Sequence, residues 1–139
     1  MIIVDTGAWV GLANRRDQYH PACRGFFKRN RETLITTCPV LVETTHLLFN
    51  RIGVSMTLAW LETIMAQGVT IFELEPIAYP DITRRMRQYA DLLMDLADAS
   101  LLVLAEHLGH GRIVSTDERD FNAYRWKNHR PFINLLALS

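Results

Sequence analysis

Five short apolar runs, at 2–5, 33–37, 69–74, 112–116 and 132–136, are separated by stretches of helical spacing. This alternation limits the fold more than any other feature of the chain. Antiparallel strands can be joined by tight turns, whereas parallel strands need crossovers long enough to hold a helix. The first run, Ile2-Ile3-Val4, has no polar position before Asp5. That is the pattern of a strand buried on both faces, as in a parallel sheet. Between the runs, the spacing predicts helices over 8–14, 18–32, 40–52, 55–67, 76–91, 95–110 and 117–124. Pro39 suits a first helical turn and Gly53 a helix stop, while Ser55 can cap the next helix and Gly68 end it. The expected fold is α/β: a parallel sheet covered by helices on both faces, a three-layer α/β/α sandwich.

Hydrophobic residues make up 49% of the 139 positions, enough to build a core and too many for a disordered chain. With no repeat or linker-like segment, one domain spanning 1–139 is expected. The 15 basic and 15 acidic residues balance, so any surface for a polyanion must be local. Cys23 and Cys38 form no CxxC pair and have no zinc-like histidine spacing, which fits buried thiols in a reducing compartment. Asp5 interrupts the first apolar run, no basic leader precedes it, and no run reaches membrane-spanning length. The expectation is a cytoplasmic protein without a membrane anchor.

In a parallel α/β sheet the functional crevice lies at the carboxyl ends of the strands. Asp5 and Asp117 each close an apolar run, and parallel strands would bring both to that edge. Glu43 lies in "VLVETTHLL", just past a helix start, and Asp98 in "MDLADASLLVLA", near the start of an apolar helix. Each has an ordinary alternative. Asp5, Asp95 and Asp117 can cap helices, Asp98 is favoured by a helix dipole, and Glu43 can be solvated. Together, four acids in one crevice would raise each other's pKa unless a cation compensated them. An all-oxygen set without cysteine or paired histidine suits Mg²⁺ or Mn²⁺, the ions of phosphoryl chemistry.

Asp5-Thr6-Gly7 also matches the presentation of an aspartic protease, but that fold is all-β and this chain is dominated by helical segments. A haloacid-dehalogenase-like phosphatase would carry Asp-x-Asp after the first strand, and here the second acid is Gly7.

"IIVDTGAWVGLANRRDQYH", "LVETTHLL", "LADASLLVLAEHLG" and "IVSTDERDF", in this order, resemble the PIN domain, and within it the VapC-type toxins of toxin–antitoxin pairs. The resemblance spans almost the whole chain. It implies a Mg²⁺- or Mn²⁺-dependent endoribonuclease with Asp5, Glu43, Asp98 and Asp117 as its catalytic acids, leaving 5′-phosphate and 3′-hydroxyl ends. Asp5 and Asp98 are read as direct metal ligands. Thr6 matches the hydroxyl residue beside the first acid, Thr116 the one before the fourth, and Asp95 an outer acid present in some relatives. The resemblance further implies an RNA substrate, a protein antitoxin over the acidic cleft, and a homodimer. An RNA-processing or RNA-binding protein of the same fold, not a toxin, is the alternative.

Local charge has to hold the RNA. Arg15 and Arg16 follow the first acid by one helix and are the favoured contacts, ahead of 28–31 and 84–87. Tyr19 and His20 are candidates for stacking on a base. Phe49, Met56, Trp60 and Met65 give the 40–67 segment more apolar bulk than one buried stripe needs, which suits a dimer face or an antitoxin groove.

Overall fold

The computed structural model describes residues 1–136. Five parallel strands form one sheet in the order β3-β2-β1-β4-β7, with β1 (Ile2–Val4) at its centre. β1 pairs with β2 (Leu34–Thr37) on one side and β4 (Arg112–Val114) on the other. β3 (Thr70–Phe72) and β7 (Ile133–Asn134) are the edges. All three side chains of β1 are buried, as its unbroken apolar run requires, whereas edge strand β3 is only half-buried.

Helix α1 (Thr6–Ala13) packs on both α2 (His20–Arg29) and α3 (Cys38–Ala66). Trp9 of α1 is the hub of that packing. Its ring stacks on Phe27 at 5.6 Å and meets Trp60 edge-on at 5.8 Å. Trp60 is therefore core, and it leaves the set of surplus apolar residues expected on this segment. Phe49, Met56 and Met65 remain exposed.

α4 (Tyr79–Gln88) and α5 (Leu96–Leu108) pack together, with α5 lying on β2. The helix expected over 76–91 is divided. Pro76–Ala78 and Ala90–Leu92 are single 3₁₀ turns flanking α4. Arg85 is buried between Asp81 and Glu106, so this part of the 84–87 basic cluster is a structural tie between α4 and α5.

Gly53 (φ 85°, ψ 170°) breaks the helical backbone, so α3 is two helices meeting at a sharp kink, as the glycine and the helical spacing on either side of it predict. One further feature differs from the sequence reading. After α6 (Glu118–Ala123), β5 (Arg125–Trp126) and β6 (Arg130–Pro131) form an unexpected antiparallel hairpin. Lys127 and Asn128 turn it with positive φ values of 52° and 64°.

Candidate active site

β1 and β4 end side by side, and the residues that follow them form the floor of a cleft of about 540 Å³. Asp5, Glu43, Asp98 and Asp117 all line it, together with Thr6, Asp95 and Thr116. Each side chain is positioned by the start of a helix. Asp5 caps α1, accepting the Thr6 N–H at 2.7 Å. Asp95 and Asp98 form a reciprocal capping box at the start of α5. Asp117 caps α6 through the Asp120 N–H at 3.1 Å. The capping alternatives raised by the sequence are therefore correct, and they coexist with a shared cleft rather than replacing it.

Glu43 projects from the second turn of α3. The Thr37 side chain caps that helix and hydrogen-bonds Ser100 at 2.7 Å. Ser100 donates its own proton to the Ala97 carbonyl at 2.6 Å, so Thr37 is the donor of the pair. This buried link fixes the helix carrying Glu43 against the helix carrying Asp98.

Ser115 is the residue that the sequence reading missed. Its Oγ donates to Asp5 Oδ2 at 2.9 Å and accepts the Asp117 N–H at 2.9 Å. Asn134 of β7 in turn clamps Ser115, accepting from its N–H at 3.2 Å and donating to its carbonyl at 2.8 Å. The hydroxyl that joins the first and fourth acids thus belongs to Ser115, one position before Thr116. Thr116 lines the cleft over Gly7 instead. A Cβ at Gly7 would collide with Thr116 Oγ1, so close approach is the reason for glycine there.

Tyr124 is a second unanticipated partner. Its buried hydroxyl donates to Asp98 Oδ2 at 3.1 Å. Burial and the neighbouring acids push the phenol well above its ordinary range, so it stays a donor. Asp17 and Asp120 also line the cleft, although neither stood out among the chain's acids.

The crowding has electrostatic consequences. Burial pushes Asp5 up to about 6, assisted by Asp117 and Asp95 and opposed by the Ser115 and Thr6 hydrogen bonds. Glu43 is raised to about 7, first by burial and then by Asp95 and Asp5. Asp98 is raised to about 8 by burial, Asp95 and Asp5. Asp120 is raised by burial and by Asp117. Seven carboxyl groups line the cleft against one cationic side chain, Arg51.

The donor set fits a hard divalent cation: carboxylates from four separate segments, with no thiol or imidazole among the lining residues. The buried Thr6 Oγ1 lies near enough to Glu43 to favour its anion, yet makes no hydrogen bond of full geometry. Among the described residues, no three His, Cys, Asp or Glu side chains form a finished metal cage. An ion that retains several waters and takes one or two carboxylates needs no such cage.

Arg15 and Arg16 do not line this cleft. They are exposed on the turn after α1 and border a neighbouring depression that shares Arg51 with it. Tyr19 lines the cleft, whereas His20 is committed to the Gly11 carbonyl at 2.7 Å. On the opposite flank an apolar groove of about 670 Å³, walled by Val42, Leu74, Tyr79 and Leu96, shares Glu43 and Asp95 with the acidic cleft.

Fold and site together define a class: a parallel α/β/α sandwich whose strand ends carry a cluster of carboxylates with the donor chemistry of a hard-cation site. The PIN domain family model matches residues 2–127, and the chain belongs to that family. Among curated proteins it is similar to Ribonuclease VapC26 of Mycobacterium tuberculosis (strain ATCC 25618 / H37Rv), with 25% identity over 124 residues covering 89% of this chain and 92% of the relative. Among solved structures it resembles Mycobacterium tuberculosis VapC20, described as a sarcin-ricin loop cleaving toxin. That likeness has a TM-score of 0.78 at 19% identity, covering 86% of this chain and 92% of the other, and concerns the fold.

Proposed function

We propose that the chain is a Mg²⁺- or Mn²⁺-dependent endoribonuclease acting in the cytoplasm as the toxin of a type II toxin–antitoxin pair. The observation that carries this reading is the convergence of Asp5, Glu43, Asp98 and Asp117, from four separate segments, on one cleft. Similarity to a curated VapC ribonuclease supports it.

In this reading Asp5 and Asp98 hold the divalent ion. When bound, such an ion activates water and steadies charge on the phosphate. Tyr124 occupies one carboxylate oxygen of Asp98 and leaves the other for the cleft, while Ser115 and the Thr6 N–H hold the Asp5 carboxylate in one orientation. Glu43 faces the same cleft and acts on the ion directly or through its bound waters. Asp117 completes the charge that attracts the cation, and Asp95 and Thr6 flank Glu43. Arg15 and Arg16 contact the RNA backbone. The apolar groove beside Glu43 suits an antitoxin segment, and the exposed Phe49, Val54 and Met65 of α3 suit a homodimer face.

Inducible expression of wild type and Asp98→Asn, with mapping of new RNA 5′ ends, tests this reading. Growth arrest with discrete cleavage sites, both lost in the variant, is expected. Cleavage without arrest would mark an RNA-processing enzyme, and absence of both would overturn the nuclease assignment.

A further inference from the structure

Arg51 is the one cationic side chain in a cleft of seven carboxylates, and it also borders the depression beyond. That depression, of about 360 Å³, is formed by Asn14, Arg15, Arg16, Arg51, Ile52 and Met56. Its chemistry is the inverse of the cleft's: three guanidinium groups and no carboxylate around an apolar floor.

The guanidinium groups of Arg15 and Arg16 are uncommitted, and Arg51 is held only by one long ion pair. Arg51 approaches Asp17 only at 4.0 Å, with its side chain 47% exposed, and makes no side-chain hydrogen bond. Arg15 and Arg16 are exposed, and among the described residues their side chains have neither an ion pair nor a hydrogen bond. This contrasts with Arg84, Arg85 and Arg112, whose guanidinium groups are bound to carboxylates. The backbone beneath the pair is nonetheless fixed. Asn14 donates its N–H to the Val10 carbonyl at 2.8 Å, and its side chain accepts the Arg16 N–H at 3.1 Å. Arg51 and Ile52 come from α3 immediately before the Gly53 break, which turns Met56 onto the same rim. Met56 is 59% exposed, which leaves its thioether free to receive a planar group.

From this arrangement we infer that Asn14, Arg15, Arg16, Arg51, Ile52 and Met56 form a nucleotide subsite of the RNA track. It holds the nucleotide next to the one whose phosphate enters the acidic cleft, with Arg51 on the phosphate between them and the base against Ile52 and Met56. The inference rests on the nuclease reading above. Guanidinium groups bind phosphates in fork geometry, and backbone contacts of this kind carry no sequence information. The subsite accordingly positions RNA and gives it a direction relative to the acids without selecting a sequence. Arg51, the one cationic side chain lining the acidic cleft itself, also offsets repulsion between a polyanion and the acids, with Arg15 and Arg16 beside it.

The test uses Asp98→Asn protein, so that RNA remains intact, and a fluorescently labelled single-stranded RNA of mixed sequence. Binding is read by anisotropy over a series of salt concentrations. Arg51→Ala is expected to weaken binding about fivefold or more and to lower the salt slope by about one ion-release step, as loss of one phosphate contact requires. Arg51→Lys should restore most of the slope but only part of the affinity, because it keeps the charge and loses the fork. Met56→Ala should weaken binding at every salt concentration with the slope unchanged. Arg130→Ala, an exposed arginine beside the C-terminal end of α5 and away from the cleft, is the control and should bind like the parent. Binding by Arg51→Ala equal to the parent, in protein whose wild-type form cuts RNA, would overturn the subsite and leave the nuclease reading standing. A parent that binds no RNA would overturn both.

Discussion

Asp98 shows how individual residues are tuned in this cleft. One of its carboxylate oxygens takes the Tyr124 hydroxyl and the Asp95 N–H, leaving the other to face the acids. Tyr124→Phe removes that restraint without opening a cavity. It is expected to reduce cleavage by about 10–100-fold, the usual cost of losing an outer partner of a ligand, and to lower stability by about 1 kcal/mol. Metal affinity measured by Mn²⁺ titration should fall with it, a change that a purely structural tyrosine would not produce. The four acids were legible in the sequence because each ends an apolar run or opens an apolar helix. Ser115 was not, because its partner Asp5 lies 110 residues away and only the pairing of β1 with β4 brings the two together. Tyr124 and Arg51 were hidden for the same reason. Nothing local distinguishes them from a buried tyrosine and a solvated arginine.

At the level of elements, two glycines hold the site's geometry for different reasons. Gly53 has a backbone conformation open almost only to glycine, and nothing lies within 4 Å of the position a Cβ would take. Gly53→Ala is therefore expected to cost about 1–3 kcal/mol through backbone strain alone. Gly7→Ala costs a similar amount, about 1–3 kcal/mol, through overpacking against Thr116. Urea unfolding separates the two from cleavage assays: Gly7→Ala should also reduce activity by displacing the floor of the cleft, whereas Gly53→Ala should act mainly on stability and on RNA binding beside Arg51. The five strands of the main sheet were legible from their apolar runs. The β5–β6 hairpin was not, since two-residue strands joined by Lys127-Asn128-His129 carry no alternating pattern and no glycine turn signal. The kink in α3 was legible: Gly53 marked the break, and the apolar spacing beyond it, which puts Trp60 and Ile64 in the core, marked the second helix.

Over the whole molecule, the cleft couples stability to pH and to metal. Asp5, Glu43 and Asp98 have folded-state pKa values raised to about 6, 7 and 8 from ordinary values near 4. The folded state then binds protons more tightly than the unfolded chain, so stability from these groups is present at low pH and lost as pH rises through that window. Without divalent metal, the midpoint of thermal unfolding should be higher at pH 5 than at pH 8. Mn²⁺ should reverse the trend by stabilising the folded protein most at pH 8, where the acids are ionised. Among the described residues no helix is long and apolar enough to cross a membrane.

The central claim is that the converging acids serve a divalent cation in cutting RNA. Its most direct test is cleavage of a structured RNA by purified protein stripped with EDTA and then titrated with Mn²⁺ or Mg²⁺, alongside Asp98→Asn. Activity should be absent after stripping, return with either ion, and stay at least about 100-fold lower in the variant, beyond the cost of losing an outer partner. Cleavage that survives EDTA, or full activity in Asp98→Asn, would contradict the claim.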